Sequence, residues 1–186
     1  HECSSAASDV YKRQLFESIV NGGHMTLLLL AASAFAAPAP DFSLRDLDNR
    51  RVTLSEHSDE AVLLIFWATW CHSCLGELDA VQEMYASLDD QGLSILALSL
   101  DEARDRSKLK PVALSHGWTF PILWDQGGKI SRMYNPAGGV PFSVVIDQRG
   151  EIILTRQGLS EGTVGELRAA IEGLLGVEAV PADEGE

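Results

Sequence analysis

The sequence predicts an α/β fold in which a mixed central sheet is flanked by helices and preceded by a small N-terminal β-hairpin. Two continuous apolar runs, residues 61–66 and 93–98, have the composition and length of strands buried on both faces. A segment with helical periodicity follows the first run, and a polar stretch expected to be helical follows the second. Two later apolar segments are separated by a short turn. Strands that alternate with helices favour parallel pairing, whereas the late hairpin adds antiparallel strands. With 46% hydrophobic residues, the 186-residue chain can form one sizeable core.

The N-terminal hairpin is predicted from two short segments of alternating polarity, residues 41–44 and 51–54. The turn-forming residues 46–49 lie between them. Residues 37–40, Ala-Pro-Ala-Pro, precede the hairpin and are expected to form a stiff, extended linker.

The first βα unit contains the strand at residues 61–66 and a helix that follows it. Apolar residues recur at helical spacing from Leu78 to Leu88, and Gly92 ends the pattern. After the second strand, the polar stretch 101–116 is expected to be helical. Pro111 predicts a kink there or a division into two short helices, because proline lacks the amide donor and its ring clashes with the preceding turn.

The C-terminal part begins with a strand at residues 120–124 and a short helix at 129–134. Residues 142–146 and 152–155 then form a hairpin across residues 147–150. A capping box at Thr163 and Glu166 is expected to open the last helix, and Gly176 is expected to end it.

Both ends of the chain are expected to lie outside the folded domain at 38–178. Residues 1–24, which contain Cys3, have the character of a non-native leader, and residues 179–186 are expected to be a disordered tail. Residues 25–37 resemble the remnant of a signal peptide, with cleavage near Ala36, and their apolar run is too short to span a bilayer comfortably. This pattern predicts a periplasmic or otherwise exported protein.

The charge distribution argues against nucleic acid as a partner. The formal net charge is −13, with 27 acidic and 14 basic residues, and the longest basic run is Arg50-Arg51. Binding to nucleic acid depends on clustered positive charge, which this composition lacks.

Cys71 and Cys74 form a Cys-x-x-Cys pair between a buried strand and a helix. Backbone N–H groups and the helix dipole stabilise an anion at such a junction, so the thiol pKa of the first cysteine is lowered. A second thiol two residues further on can resolve a mixed disulfide. We therefore predict Cys71 as an exposed nucleophile and Cys74 as a buried resolving cysteine. The alternatives are a pair of core cysteines or half of a zinc site, although no second pair has ligand spacing, so no metal ligands are assigned.

Residues 66–74, Glu77 and residues 139–150 resemble the TlpA/ResA-like (DsbE/CcmG-type) branch of the thioredoxin superfamily, over about residues 38–176. The resemblance implies a thioredoxin-like fold with an inserted βα element and an exported, usually reductive role that includes cytochrome c maturation. It also implies protein thiol or disulfide substrates, a membrane thiol-transfer protein as electron donor, and no cofactor besides the Cys71–Cys74 disulfide. We expect a monomer.

The resemblance assigns roles to further residues. Pro141 matches the family's cis-proline, and the backbone of Val140 is expected to bind the substrate. Glu77 matches an acid that transfers a proton to or from the Cys74 sulfur, since residues at i and i+3 share a helix face. An ordinary exposed helical glutamate is the alternative.

Trp67 and Trp70 are expected to shape the surface on which substrate docks, with packing as the alternative for each. His72 is expected to contact substrate and, when protonated, to stabilise the Cys71 thiolate, with an exposed histidine without a role as the alternative.

Two rival functions remain open at this stage. A peroxiredoxin-like peroxidase would carry a threonine three residues before its cysteine, where this chain has Ala68. A non-catalytic binding module would use the fold to hold a client protein or a metal. The His72-Ser73 pair is also unusual for a reductase, so the direction of electron flow is left open.

Overall fold

The computed structural model describes residues 37–158 and 161–177. The predicted leader, the signal-peptide remnant up to residue 36 and the tail from residue 179 lie outside the described residues. In chain order the elements are β1 (Ala37–Pro38), β2 (Ser43–Arg45), β3 (Arg51–Thr53), β4 (Ala61–Trp67), α1 (His72–Leu88), β5 (Leu93–Ser99), α2 (Arg106–His116), β6 (Ile122–Trp124), α3 (Lys129–Tyr134), β7 (Phe142–Ile146), β8 (Glu151–Gln157) and α4 (Glu161–Leu175). Short 3-10 helices follow β3 and α1.

The central sheet is mixed, as predicted. Its strand order is β1-β8-β7-β4-β5-β6, and β2 and β3 form a separate hairpin. Strands β4, β5 and β6 are parallel, whereas β7 pairs with β4 and β8 in antiparallel fashion. The carboxyl ends of the three parallel strands therefore meet the amino end of β7 at one edge of the sheet.

Strand β4 is buried along its whole length because both faces of the sheet are covered. Its odd-numbered residues, from Ala61 to Trp67, belong to a core that also contains apolar residues of α1, α2 and α4. Its even-numbered residues, from Val62 to Phe66, belong to a second core that includes residues of α3 and the N-terminal hairpin. The alternation follows from the two-residue period of a strand.

Helix α2 corrects the expectation for residues 101–116. It begins only at Arg106 and continues through Pro111 to His116, so there is one helix and not two. The start is late because Asp101 folds back onto Ser99 and the loop before the cysteines, which leaves the following residues in turns.

The start of α4 and the segment before the hairpin also differ from the prediction. Helix α4 begins at Glu161, so the Thr163–Glu166 pattern lies within the helix and does not open it. Glutamate favours helix, which lets the helix start earlier than the capping pattern indicates. The end at Gly176 is as predicted, with a left-handed φ of 67°. Residues 37–38, expected to be linker, form edge strand β1 on β8, a position that tolerates a proline without an amide donor.

Candidate active site

The two cysteines of the Cys-x-x-Cys pair are joined by a disulfide, with their Cα atoms 5.3 Å apart. Cys71 is the N-cap of α1, and the backbone N–H of Cys74 donates to the Cys71 sulfur at 3.3 Å. The Ser73 hydroxyl lies 3.4 Å from the same sulfur. Once the disulfide is reduced, these donors and the helix dipole favour a thiolate on Cys71.

The accessibility of the cysteines partly corrects the prediction. Cys71 is 7% exposed and Cys74 is fully buried. Cys71 is thus the more accessible sulfur-bearing residue, as predicted, but it is not an exposed side chain in the oxidised protein. Its bond to the buried Cys74 holds it against the first turn of α1.

Glu77 lies one turn after Cys74 and is 7% exposed, so it is not the ordinary exposed glutamate of the alternative interpretation. Both of its carboxylate oxygens are shielded from solvent, and neither has a hydrogen-bond partner among the described residues. Burial raises the pKa of Glu77 from 4.5 to about 7. A carboxyl with this pKa can both bind and release a proton near neutral pH.

The Val140–Pro141 peptide bond is cis, the geometry expected from the resemblance. Pro141 directly precedes β7, whose first residue, Phe142, pairs with Phe66 near the end of β4. This register brings the cis-proline loop to the sheet edge from which the chain continues to Cys71. Val140 is half-buried and contacts both cores.

Side chains from neighbouring segments hold the cis-proline loop in place. The Asn135 side-chain amide donates to the carbonyls of Gly138 and Gly139 and to the Gln157 side chain. Gln157 in turn donates to the Pro141 carbonyl at 3.0 Å. These bonds connect the end of α3, the loop and the end of β8.

Asp101 anchors the loop on the other side of the disulfide, and the sequence reasoning missed it. This 1% exposed carboxylate accepts hydrogen bonds from the backbone N–H and the hydroxyl of Thr69 and from the Ser99 hydroxyl. Its backbone carbonyl accepts from the Trp124 indole at 2.8 Å. The sequence contained a signal for this role of Asp101. An aspartate just after β5 lies beside the end of β4, because the two strands are parallel.

The aromatic and histidine side chains near the disulfide separate into two groups. Trp70 is 68% exposed and His72 is exposed at the start of α1, so both can meet a docking protein. Trp67 is fully buried and packs edge to face on Trp118, with ring centroids 5.2 Å apart. Trp67 therefore belongs to the core and not to the docking surface, so packing, the alternative for this residue, is correct.

The arrangement is suited to transferring electrons between dithiols and disulfides. It combines a disulfide at a helix N-terminus, a buried carboxyl without a hydrogen-bond partner and a cis-proline loop at the same end of the sheet. Within the described ranges, no cluster of three or more histidine, cysteine or acidic residues could hold a metal ion. No helix in those ranges is both long and apolar enough to cross a bilayer.

Comparison with known proteins agrees with this chemistry. The family model described as AhpC/TSA family matches residues 35–155. Thiol-disulfide oxidoreductase ResA of Geobacillus kaustophilus is 36% identical over 121 residues, which cover 65% of this chain and 68% of the relative. ResA of Bacillus thuringiensis is 32% identical over 138 residues, which cover 74% of each chain.

Solved structures show the same similarity. A structure described as a thiol:disulfide interchange protein DsbE from Chlorobium tepidum aligns with a TM-score of 0.69 at 27% identity, covering 75% of this chain and 96% of that one. A Bacteroides thetaiotaomicron protein described as a protein disulfide isomerase aligns with a TM-score of 0.70 at 28% identity, covering 76% and 89%. Together with the disulfide at the start of α1, these matches show that the chain belongs to the AhpC/TSA family, in its ResA-like branch of thioredoxin-fold thiol:disulfide oxidoreductases.

Proposed function

We propose that the protein is an exported reductase that transfers two electrons from the Cys71/Cys74 dithiol to disulfides of protein substrates, in a role similar to cytochrome c maturation. The observation that carries this proposal is the disulfide at the N-terminus of α1, one turn from the unpartnered, buried carboxyl of Glu77. The similarity to ResA and DsbE proteins supports it.

The reaction begins with the Cys71 thiolate, which attacks one sulfur of the substrate disulfide. A mixed disulfide forms and the first substrate thiolate leaves. The Cys74 thiolate then attacks the Cys71 sulfur, which closes the Cys71–Cys74 disulfide and releases the second substrate thiolate. Glu77 accepts the proton of the Cys74 thiol during the second step, because its pKa of about 7 lies near the working pH.

The substrate is held by the surface around the disulfide. Val140 supplies backbone hydrogen bonds beside Pro141, and the exposed Trp70 and His72 contact the approaching polypeptide. An external thiol donor must reduce the disulfide after each turnover, and we propose a membrane thiol-transfer protein for this step. We further propose that the protein acts as a monomer after signal-peptide cleavage near Ala36.

Reduction of insulin disulfides, with Cys71→Ala as the control, tests the activity. The wild-type protein, supplied with dithiothreitol, is expected to accelerate insulin reduction, and the variant is not. A measured reduction potential more negative than about −200 mV supports a reductase, whereas a value near that of DsbA, about −120 mV, would make it an oxidant. Peroxide consumption in the same preparation tests the peroxidase alternative, and cell fractionation tests export.

A further inference from the structure

A groove of about 550 Å³ opens between the N-terminal hairpin and the segment that contains α3. Arg45 and Arg51 of the hairpin line one side, and Trp124 and Lys129 line the other. Apolar surface continues to Met133, which is 44% exposed. The groove thus combines apolar walls with several positive charges.

The positive charges without a carboxylate partner are concentrated at this groove. Within residues 37–158 and 161–177, the basic side chains that form no salt bridge are those of Arg45, Arg51, Arg106, Lys129 and Arg132. Three of them line the groove, Arg106 lies over the Trp124 ring at 5.0 Å, and Arg132 belongs to α3 in the groove wall. In a chain with a net charge of −13, carboxylates are abundant, yet these cations remain unpaired.

The hairpin places two of these cations directly opposite each other. Arg45 and Arg51 are cross-strand partners of β2 and β3. Like charges in this position repel and destabilise a hairpin, and the Arg45 guanidinium donates only to the Asn49 carbonyl. The stability of the fold does not explain why two arginines lie opposite each other, whereas a binding site for an anionic ligand explains it.

The carboxylates that line the groove are directed at other donors. Asp125 is 1% exposed and accepts from the backbone N–H groups of Ile130 and Ser131. Asp41 accepts from its neighbour's N–H and from the N–H and hydroxyl of Ser55. The arginines and the lysine of the groove are therefore available to bind an external anion.

The groove lies at the end of the parallel strands from which the chain also continues to the disulfide, although its walls at Phe42 and Ile130 belong to the core on the opposite face of the sheet. Trp124 ends β6 and pairs with Ser99 of β5, which pairs with Trp67 of β4. At strand spacings of 4.7–4.9 Å, Trp124 is about 10 Å from the end of the strand that leads to Cys71. Trp124 also donates to Asp101, which holds the loop before Cys71.

We propose that this groove binds an acidic segment of the protein whose disulfide is exchanged at Cys71, an inference that rests on the proposed function. An extended chain covers 3.3–3.6 Å per residue, so at least about three residues must separate the substrate cysteine from the acidic residues that reach the groove. Arg51 and Lys129 pair with the acidic side chains, and the apolar wall near Trp124 takes an adjacent apolar side chain.

Single-turnover reduction of two peptides by the pre-reduced protein tests the proposal. Each peptide has one cysteine in a mixed disulfide with β-mercaptoethanol; one carries three glutamates beginning four positions away, and the other carries glutamines there. The wild-type protein is expected to reduce the acidic peptide about tenfold faster, with the ratio falling as salt is added. Arg51→Gln and Lys129→Gln should each lower this ratio about threefold. Arg149→Gln, a matched loss of charge in the turn between β7 and β8, should leave it unchanged.

The possible outcomes separate the groove from the oxidoreductase function. Equal rates with both peptides would overturn the proposed binding of acidic segments in the groove and leave the proposed reductase function intact. No reduction of either peptide would overturn the reductase function itself. Arg51→Gln should not lower the melting temperature, because it removes a repulsion; a clear decrease would assign Arg51 a structural role. A preference that appears only after removal of residues 181–186 would show that this acidic segment of the chain itself occupies the groove in the intact protein, and would overturn docking of a partner segment there.

Discussion

Replacement of Glu77 by glutamine should make the stability of the oxidised protein less dependent on pH. The pKa of Glu77 rises from 4.5 in the unfolded chain to about 7 in the fold, because its carboxylate is buried without a partner. The contribution of Glu77 to the free energy of unfolding is fully present below about pH 4.5, where its carboxyl is protonated in both the folded and the unfolded chain. It is lost as the pH rises toward 7, because only the unfolded chain ionises in that range.

The magnitude follows from the size of the pKa change. The increase in the pKa of Glu77 from 4.5 to about 7 corresponds to a loss of about 3 kcal/mol in the free energy of unfolding, at pH values where the folded state must also ionise. Part of this is already lost at about pH 5, so wild type should lose about 2–3 kcal/mol relative to Glu77→Gln between about pH 5 and about pH 8. Any cost of burying the glutamine amide is the same at both pH values and cancels in this comparison.

Urea unfolding followed by tryptophan fluorescence measures both proteins at the two pH values. Glu83→Gln is the matched control, since Glu83 is a solvent-exposed glutamate on the same helix. If wild type and Glu77→Gln differ by the same amount at both pH values, the carboxyl does not titrate in this range and its proposed proton transfer fails. The variant should also lose the inflection near pH 7 in the rate of thiol exchange.

Three further changes test other parts of the site. Cys74→Ser should trap a mixed disulfide between the remaining active-site sulfur and substrate, visible on a non-reducing gel; rapid release of substrate would show that Cys74 is not the resolving residue. Asp101→Asn should lower the free energy of unfolding by about 2 kcal/mol and slow insulin reduction, because it weakens charge-assisted bonds to the loop before the cysteines; unchanged kinetics would limit Asp101 to a structural role. Gly139→Ala should cost about 1–2 kcal/mol of stability, since Gly139 has a φ of 96° and a Cβ there would lie 3.3 Å from the Gln157 amide. Gly165→Ala, in an open helical position, should instead be neutral or stabilising in the same thermal unfolding assay, and equal effects at both glycines would contradict this reasoning.

Local patterns predicted most of the fold. The uninterrupted apolar residues of β4 and β5 indicated strands buried on both faces, and both are buried on the two sides of the sheet. The helix at residues 129–134 has the predicted bounds. Prediction was weaker where tertiary contacts compete with local preference, as at Asp101, whose side chain binds the neighbouring loop and delays the start of α2.

The sequence by itself determined the redox pair, because Cys71 and Cys74 are close in the chain and the strand before them and the helix after them are local features. Only the tertiary structure decided the environment of Glu77. A helical glutamate has the same sequence signature whether it is exposed or buried, and its pKa depends on whether other elements exclude water from it. The same holds for the cations of the groove. Arg51 and Lys129 are ordinary basic residues in the sequence, and only the fold places them on either side of one groove without carboxylate partners.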